Sequence, residues 1–93
     1  MQPADSLDAV LGVLEGTLDD RRFAAAVKTL TKGRRIGLSA AACGALLDEL
    51  ERRVAADDDD CLMRAAKDLT HAATDNGYAA LAKRSINIWA GAR

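Results

Sequence analysis

Few residues in this chain of 93 could do chemistry: one histidine, two cysteines, a run of aspartates and a basic cluster. His71 is followed four residues later by Asp75, a helical spacing that would place a carboxylate beside the imidazole for acid–base work. The chain has no second histidine, and no serine or cysteine stands at a spacing that pairs it with His71. We therefore expect His71 to be a structural or solvated residue, and we expect no enzymatic activity.

The candidate metal ligands are four consecutive aspartates, residues 57–60. A calcium-binding EF-hand loop requires a glycine at its sixth position and a glutamate at its twelfth. Counted from Asp57, these positions hold Leu62 and Asp68, so the motif fails. Acidic residues at a helix N-terminus cap the helix and complement its dipole. We expect that role for the run, with an acidic docking patch as the alternative, and we expect no metal and no other cofactor.

The two cysteines, Cys43 and Cys61, are not spaced as a redox or metal motif. We expect free thiols of a cytoplasmic protein, since the acidic first residues do not resemble a secretory signal. Cys43 falls on an apolar helix stripe and is expected to be buried. Cys61 opens a helix whose dipole would lower its pKa, while the adjacent aspartates act in the opposite direction. No apolar run approaches the roughly 20 residues that span a bilayer, so we expect no membrane partner.

Arginines and lysines between residues 21 and 35 form the candidate anion site. A loop that flanks two arginines with glycine can hold a phosphate or an acidic partner. A Walker-type phosphate loop is absent, and the net charge of −1 does not favour general attraction to nucleic acid. A phosphate- or nucleic-acid-binding helical module is therefore the second hypothesis for this protein. Its residues would be Arg21, Arg22, Lys32, Arg34 and Arg35.

Helices must position these residues, because apolar side chains recur every three to four residues and no alternating strand pattern competes. The spacing and the capping residues predict helices over residues 7–18, 21–32, 40–56, 59–75 and 78–90. Their brief connections favour antiparallel neighbours. We predict an all-α fold in which residues 1–93 form a single domain. This domain is a compact antiparallel bundle of four to five short helices behind a flexible lead-in, residues 1–4.

An internal echo offers an alternative architecture. Six residues reappear 39 positions later without a gap: Ala26, Lys28, Leu30, Thr31, Ala40 and Ala41 match Ala65, Lys67, Leu69, Thr70, Ala79 and Ala80. Two helical hairpins with this period would form a short α-solenoid-like array. Chance recurrence among alanine-rich amphipathic helices is the other explanation.

The stretch over residues 66–81 resembles histidine phosphotransfer domains, which are helical bundles with a local A-H-x-L-K-G pattern followed by a glycine and a leucine. The matching residues are Ala66, Leu69, Gly77 and Leu81. Lys67 occupies the position of the phosphorylated histidine, and Thr70-His71 replaces the Lys-Gly pair. The resemblance implies an antiparallel bundle. It gives the third hypothesis, a phosphotransfer-like bundle that lacks the phosphoacceptor histidine and docks a response-regulator-type partner.

The apolar residues themselves indicate a protein partner. With one Phe, one Trp and one Tyr, the chain relies on alanine for much of its apolar content, and alanine buries little surface. In the last helix, three large residues within four positions cannot all face one side. The predicted interface residues are Tyr78, Ile86, Ile88 and Trp89. The first hypothesis is thus a small protein–protein interaction module, regulatory or adaptor-like, that forms a homodimer through its C-terminal helix.

Overall fold

A computed structural model of the chain describes residues 10–12, 14–15, 19–33, 38–57 and 59–91. These residues contain four helices: α1 (Asp20–Gly33), α2 (Ala40–Ala56), α3 (Asp60–Asp75) and α4 (Ala79–Gly91). Residues 10–12 and 14–15 are helical as well, inside the first predicted helix. The all-α prediction is confirmed, and each end of α1 to α4 lies at the predicted residue or next to it. The predicted lead-in, residues 1–4, lies outside the described residues.

Side-chain caps explain why the helices begin where they do. Asp19 Oδ1 accepts a hydrogen bond from the Arg22 amide at 2.8 Å. Ser39 Oγ accepts one from the Ala42 amide at 3.1 Å. Asp59 Oδ1 accepts one from the Cys61 amide at 3.1 Å, the capping role expected of the aspartate run. Each cap satisfies an amide that the helix leaves unpaired, which is typically worth about 1 kcal/mol.

The helices form an antiparallel bundle in which α3 packs against each of the other three. Arg53, near the end of α2, pairs with Asp20 at the start of α1, so α1 and α2 run in opposite directions. Three-residue connections then reverse the chain between α2 and α3 and between α3 and α4. In the second of these, Gly77 adopts a φ of 79°, a left-handed conformation that glycine reaches without steric cost.

The observed packing is a compact bundle rather than a two-hairpin array. In an array, α1 would pack mainly against α2, its hairpin partner. Here α1 packs mainly against α3, and the Cα radius of gyration is 11.9 Å, close to the roughly 12 Å of a compact chain of this length. The sequence echo nevertheless joins equivalent positions. Leu30 and Leu69 are both buried, and Ala40 and Ala79 both begin a helix.

The core consists mainly of leucine and alanine. On α3 the fully buried residues are Leu62, Ala65, Ala66, Leu69, Ala72 and Ala73. Because alanine has only a methyl group, the neighbouring helices can approach the α3 backbone closely, and this accounts for the central place of α3. Within the described residues, no helix combines the length and hydropathy needed to cross a membrane.

A charged cluster around Arg53 joins α1 to α2. The Arg53 guanidinium donates to Asp20 Oδ1 at 2.8 Å and to Glu49 Oε2 at 2.6 Å. It also lies 4.5 Å from the centroid of the Phe23 ring. The side chains of Arg53 and Glu49 are only 13% and 15% exposed, so solvent screens this pair less than an ordinary surface pair. Burial alone would raise the pKa of Glu49, but the hydrogen bonds and charges of Arg52 and Arg53 together lower it.

Acidification through the pKa of Glu49 should therefore destabilise the fold. The pKa of Glu49 is lower in the folded chain, so the stability it contributes is present above its unfolded pKa of about 4.3 and is lost as the pH falls through the folded pKa. Glu49→Gln should lower the free energy of unfolding at pH 7 and flatten its decrease below about pH 5. Urea unfolding across a pH series measures both effects. Asp48→Asn, whose side chain is 75% exposed, is the control, and an equal flattening in that variant would contradict the assignment.

The hydroxyls of Thr70 and Ser85 and the indole N–H of Trp89 form a hydrogen-bonded group, the hydroxyl cluster, that joins α3 to α4. The oxygens of Thr70 and Ser85 lie 2.7 Å apart, and Trp89 Nε1 donates to Thr70 Oγ1 at 3.1 Å. Thr70 Oγ1 also lies 2.9 Å from the Ala66 carbonyl, and Ser85 Oγ lies 2.9 Å from the Ala82 carbonyl. The two hydroxyl protons are shared among the three oxygen–oxygen contacts. Only one proton can lie between Thr70 and Ser85, so the other hydroxyl donates to a carbonyl of its own helix.

Removing the Thr70 hydroxyl should cost more than removing an exposed one. Thr70→Val preserves the shape of the side chain but leaves the Trp89 indole N–H without its acceptor, at a cost of about 1–3 kcal/mol. Thr29→Val is the matched control, because Thr29 Oγ1 donates to a carbonyl four residues earlier on the exposed face of α1. Urea unfolding of both variants compares the two losses. Equal losses would show that the cluster does not hold α4 in place.

Candidate docking surface on α4

The packing of α4 decides which of its residues remain available to a partner. Ala82, Ser85 and Ile88 face the interior and are buried, and Trp89 is half-buried against the core. Ile86 lies on the outer side of the helix, with 39% of its surface exposed. Among the described residues, the other large apolar side chain with such exposure is Leu11, at 43%. Ile86 is therefore the large apolar residue that α4 leaves to solvent.

The four predicted interface residues differ in their exposure and in their contacts within the bundle. Ile88 is 7% exposed and belongs to the core of its own chain. Tyr78 is half-buried, and its hydroxyl donates to the Leu38 carbonyl at 2.8 Å. Trp89 donates to Thr70 and is covered in part by its own bundle. A shared interface of all four remains a prediction, and the structure favours Ile86 as its accessible member.

Ile86 stands at the edge of an open groove between the end of α3 and the outer side of α4. The groove has a volume of about 380 Å³, and its lining residues are Thr74, Gly77, Ala79, Ala82, Lys83 and Ile86. A side chain added at Gly77 would meet nothing within 4 Å, so the space above the turn is open. Of these lining residues, only Ile86 was predicted from the sequence as part of a binding surface. The signal of the others is a set of mostly small residues around a glycine turn, and such a set by itself indicates only a turn.

The chemistry of this groove is that of apolar contact. Lys83 is the one charged residue among the described residues that line it. Methyl groups and the Gly77 backbone would accept an apolar side chain with little desolvation of polar groups. The groove therefore offers mainly apolar surface for contact.

The predicted anion-binding residues are dispersed. Arg21 and Arg22 are exposed at the start of α1, and Lys32 is exposed at its end. At 1.5 Å per residue, Arg21 and Lys32 lie about 16 Å apart along the helix, too far to hold one phosphate. Arg34 and Arg35 lie outside the described residues. Arg21 instead lines a second groove, between α1 and α3, together with Lys28 and Arg64.

Three aspartates meet where α1, α2 and α3 begin or end. Carboxylate oxygens of Asp20, Asp57 and Asp59 lie within 4.8 Å of one another, a grouping that the sequence did not predict because Asp20 comes from another helix. Asp20 is paired with Arg53, and Asp59 caps α3. These roles account for Asp20 and Asp59, and no other described residue at this junction completes a metal site.

His71 and Lys67 lie on the outer face of α3. His71 is exposed and makes no hydrogen bond or ion pair within the described part of the chain, so a partner for acid–base work is not found there. Lys67 holds the position at which the phosphotransfer resemblance would place its histidine. Its Nζ lies 5.3 Å from the centroid of the Trp89 ring, a cation–π contact that helps cover the indole. Lys67 therefore contributes to the packing of α4 against α3.

Both cysteines are free thiols with raised pKa values. Burial raises the pKa of Cys43 to about 11, against a smaller opposing effect of the Arg84 charge. Partial burial also raises the pKa of Cys61, and the neighbouring Asp59 and Asp20 act in the same direction. The dipole at the start of α3 does not overcome these effects. Neither thiol is activated as a nucleophile.

The difference in burial between the two cysteines predicts that an alkylating reagent modifies Cys61 and not Cys43 in the folded chain. Cys61 is half-buried and Cys43 is buried, so N-ethylmaleimide at pH 8 should add slowly to Cys61 and should reach Cys43 only on unfolding. Mass spectrometry of the native chain should show a single adduct. Cys61→Ser is the control, and it should remain unmodified until denaturant is added. Rapid addition of two maleimides to the native chain would contradict the burial of Cys43.

Comparisons with known proteins do not extend these observations. The chain matches no protein-family model, no curated protein and no solved structure. The function therefore has to be inferred from the geometry of the bundle and its grooves.

Proposed function

We propose that this protein is a non-enzymatic protein–protein interaction module, a small regulator or adaptor, that forms a homodimer through the outer face of α4. The observation that carries the proposal is the exposed Ile86 at the edge of an apolar groove. Most other large apolar side chains among the described residues are packed into the core. Two free thiols fit a reducing compartment, and we propose that the protein acts in the cytoplasm.

A second copy of the chain is the partner that this face fits. A twofold dimer joins the same patch of both subunits, so a patch that carries both a projection and a recess is self-complementary. The exposed Ile86 would be the projection, and Ala79, about two turns of helix earlier, lines the same groove as the recess. Antiparallel pairing of two α4 helices would place each Ile86 in the groove of the other copy. The small residues of the groove allow the close approach that this requires.

A stable dimer requires more buried area than the groove alone provides. A stable interface typically covers about 800 Å² of each partner, which is roughly a seventh of the 5432 Å² surface of this chain. Ala90, which is exposed one turn after Ile86 on α4, would supply part of the remainder. The core is rich in alanine, so burying this additional surface would add stability that a chain of this size gains only sparingly from its own core.

Lys83 gives the homodimer a distinguishing salt dependence. It lines the groove, so twofold pairing brings two ammonium groups towards each other. Added salt screens this repulsion, and the dimer should strengthen between about 50 and 300 mM NaCl. An acidic partner of another kind would bind Lys83 by charge attraction and would weaken over the same range.

Ile86→Asp should abolish the dimer. The substitution places a charge in an apolar interface, where burying an unpaired carboxylate costs several kcal/mol. Sedimentation equilibrium at about 10–300 µM covers the range expected for a modest interface. The wild-type chain should dissociate reversibly within this range, and Ile86→Asp should be a monomer with the same helix content by circular dichroism.

Asn87→Asp is the matched control, since it adds the same charge at the next position of α4, outside the groove lining. It should retain most of the self-association. A wild-type chain that is folded and monomeric at 300 µM would refute the homodimer. Equal loss in Asn87→Asp and Ile86→Asp would refute the role of the groove.

A further inference from the structure

A second groove, between α1 and α3, has the opposite chemistry to the groove on α4. Its volume is about 220 Å³, and its lining residues are Arg21, Ala24, Ala25, Lys28, Cys61, Arg64 and Asp68. The two helices run side by side in the same direction, since α1 and α3 are both antiparallel to α2. Alanines and the Cys61 side chain form its small-residue wall. A ligand could thus approach the helices closely.

Three exposed cations line this groove. Arg21, Lys28 and Arg64 have no ion pair among the residues that the structure describes, whereas Arg52, Arg53 and Arg84 each bind a carboxylate. Asp68 is the one acidic residue of the described lining. Like charges held around a small space repel one another, and an anion between them would remove that repulsion. Four of the described acidic residues are paired with arginines elsewhere in the bundle.

The donor set matches a phosphate group. Two guanidinium groups can each donate two parallel hydrogen bonds to phosphate oxygens, and the lysine adds a mobile point charge. The Asp20–Asp57–Asp59 junction lies at the end of the groove near Arg21 and repels anions there. The phosphate is therefore placed among the three cations and away from that junction. Asp68, four residues after Arg64, can accept a hydrogen bond from a hydroxyl of the same ligand.

We propose that the groove between α1 and α3 binds the phosphate group of a hydroxyl-bearing phosphate ester, with Arg21, Lys28 and Arg64 as its ligands. A small phosphorylated metabolite and the backbone of RNA share this chemistry. The site is separate from the α4 face, so it can be tested without reference to dimer formation. It shares Arg21 with the predicted anion cluster but replaces the remainder of that cluster by residues of α1 and α3.

The test is an NMR titration of the full ¹⁵N-labelled chain at low ionic strength, with inorganic pyrophosphate as the probe. Amide shifts should concentrate in residues 21–28 and 61–68. Arg64→Gln should weaken binding about tenfold or more, the loss expected when one charged hydrogen-bonding group is removed. Arg22→Gln is the matched control, since it removes one exposed arginine of α1 that does not line the groove, and it should change the affinity less than about twofold.

Cys61 supplies an independent readout, because its side chain is part of the groove wall. Saturating pyrophosphate should slow its alkylation by uncharged N-ethylmaleimide in the wild-type chain and have no effect in Arg64→Gln. Ribose 5-phosphate and a short single-stranded RNA then distinguish the sources, since tighter binding of one over pyrophosphate identifies it as the closer ligand. The proposal is overturned if pyrophosphate causes no localised shifts, or if Arg64→Gln and Arg22→Gln lose affinity equally.

Discussion

The hydroxyl cluster of Thr70, Ser85 and Trp89 fixes the rotation of α4, and this rotation determines which side chains of α4 are exposed. Ser85 must face α3 to reach Thr70, and Trp89 must lie one turn further along the same side. Ile88 then turns into the core, while Ile86 turns outward. A rotation of α4 that buried Ile86 would break the cluster and leave the indole N–H unpaired, which is costly inside a protein. A polar constraint thus determines which apolar residue is exposed.

The bundle also separates its charges into paired and unpaired sets. Arg84 of α4 binds Asp48 and Glu51 of α2, and Arg53 of α2 binds Glu49 of its own helix and Asp20 of α1. These two arginines thus join helices and engage four of the described acidic residues. The cations of the α1–α3 groove have no ion pair among the residues that the structure describes. The apolar α4 groove and the basic α1–α3 groove therefore follow from the same arrangement of helices, one through packing and the other through charge.

The helices could be predicted from the sequence because their signals are local. Apolar residues at three- and four-residue spacing, with Ser39, Asp59 and the Asn76–Gly77 turn at the ends, determine where α1 to α4 begin and end. The grooves depend on how helices pair, which periodicity does not specify. Ile86 and Ile88 look alike in sequence, and the Ser85 hydrogen bond decides which of them is buried. Likewise, Arg64 became a candidate ligand only because α1 packs beside α3, whereas the prediction had grouped Arg21 with basic residues closer to it in sequence, among them Arg34 and Arg35.

The central claim is that the outer face of α4 pairs with a second copy of itself. The most direct measurement is an isotope-filtered NOE experiment on an equal mixture of ¹³C-labelled and unlabelled chains at millimolar concentration. Intermolecular contacts should connect the Ile86 methyl groups of one copy with the Ala79 and Ala82 methyl groups of the other. A dimer whose intermolecular contacts arise from Leu11 or from any surface other than α4 would contradict the account, and so would a sample with no intermolecular contact.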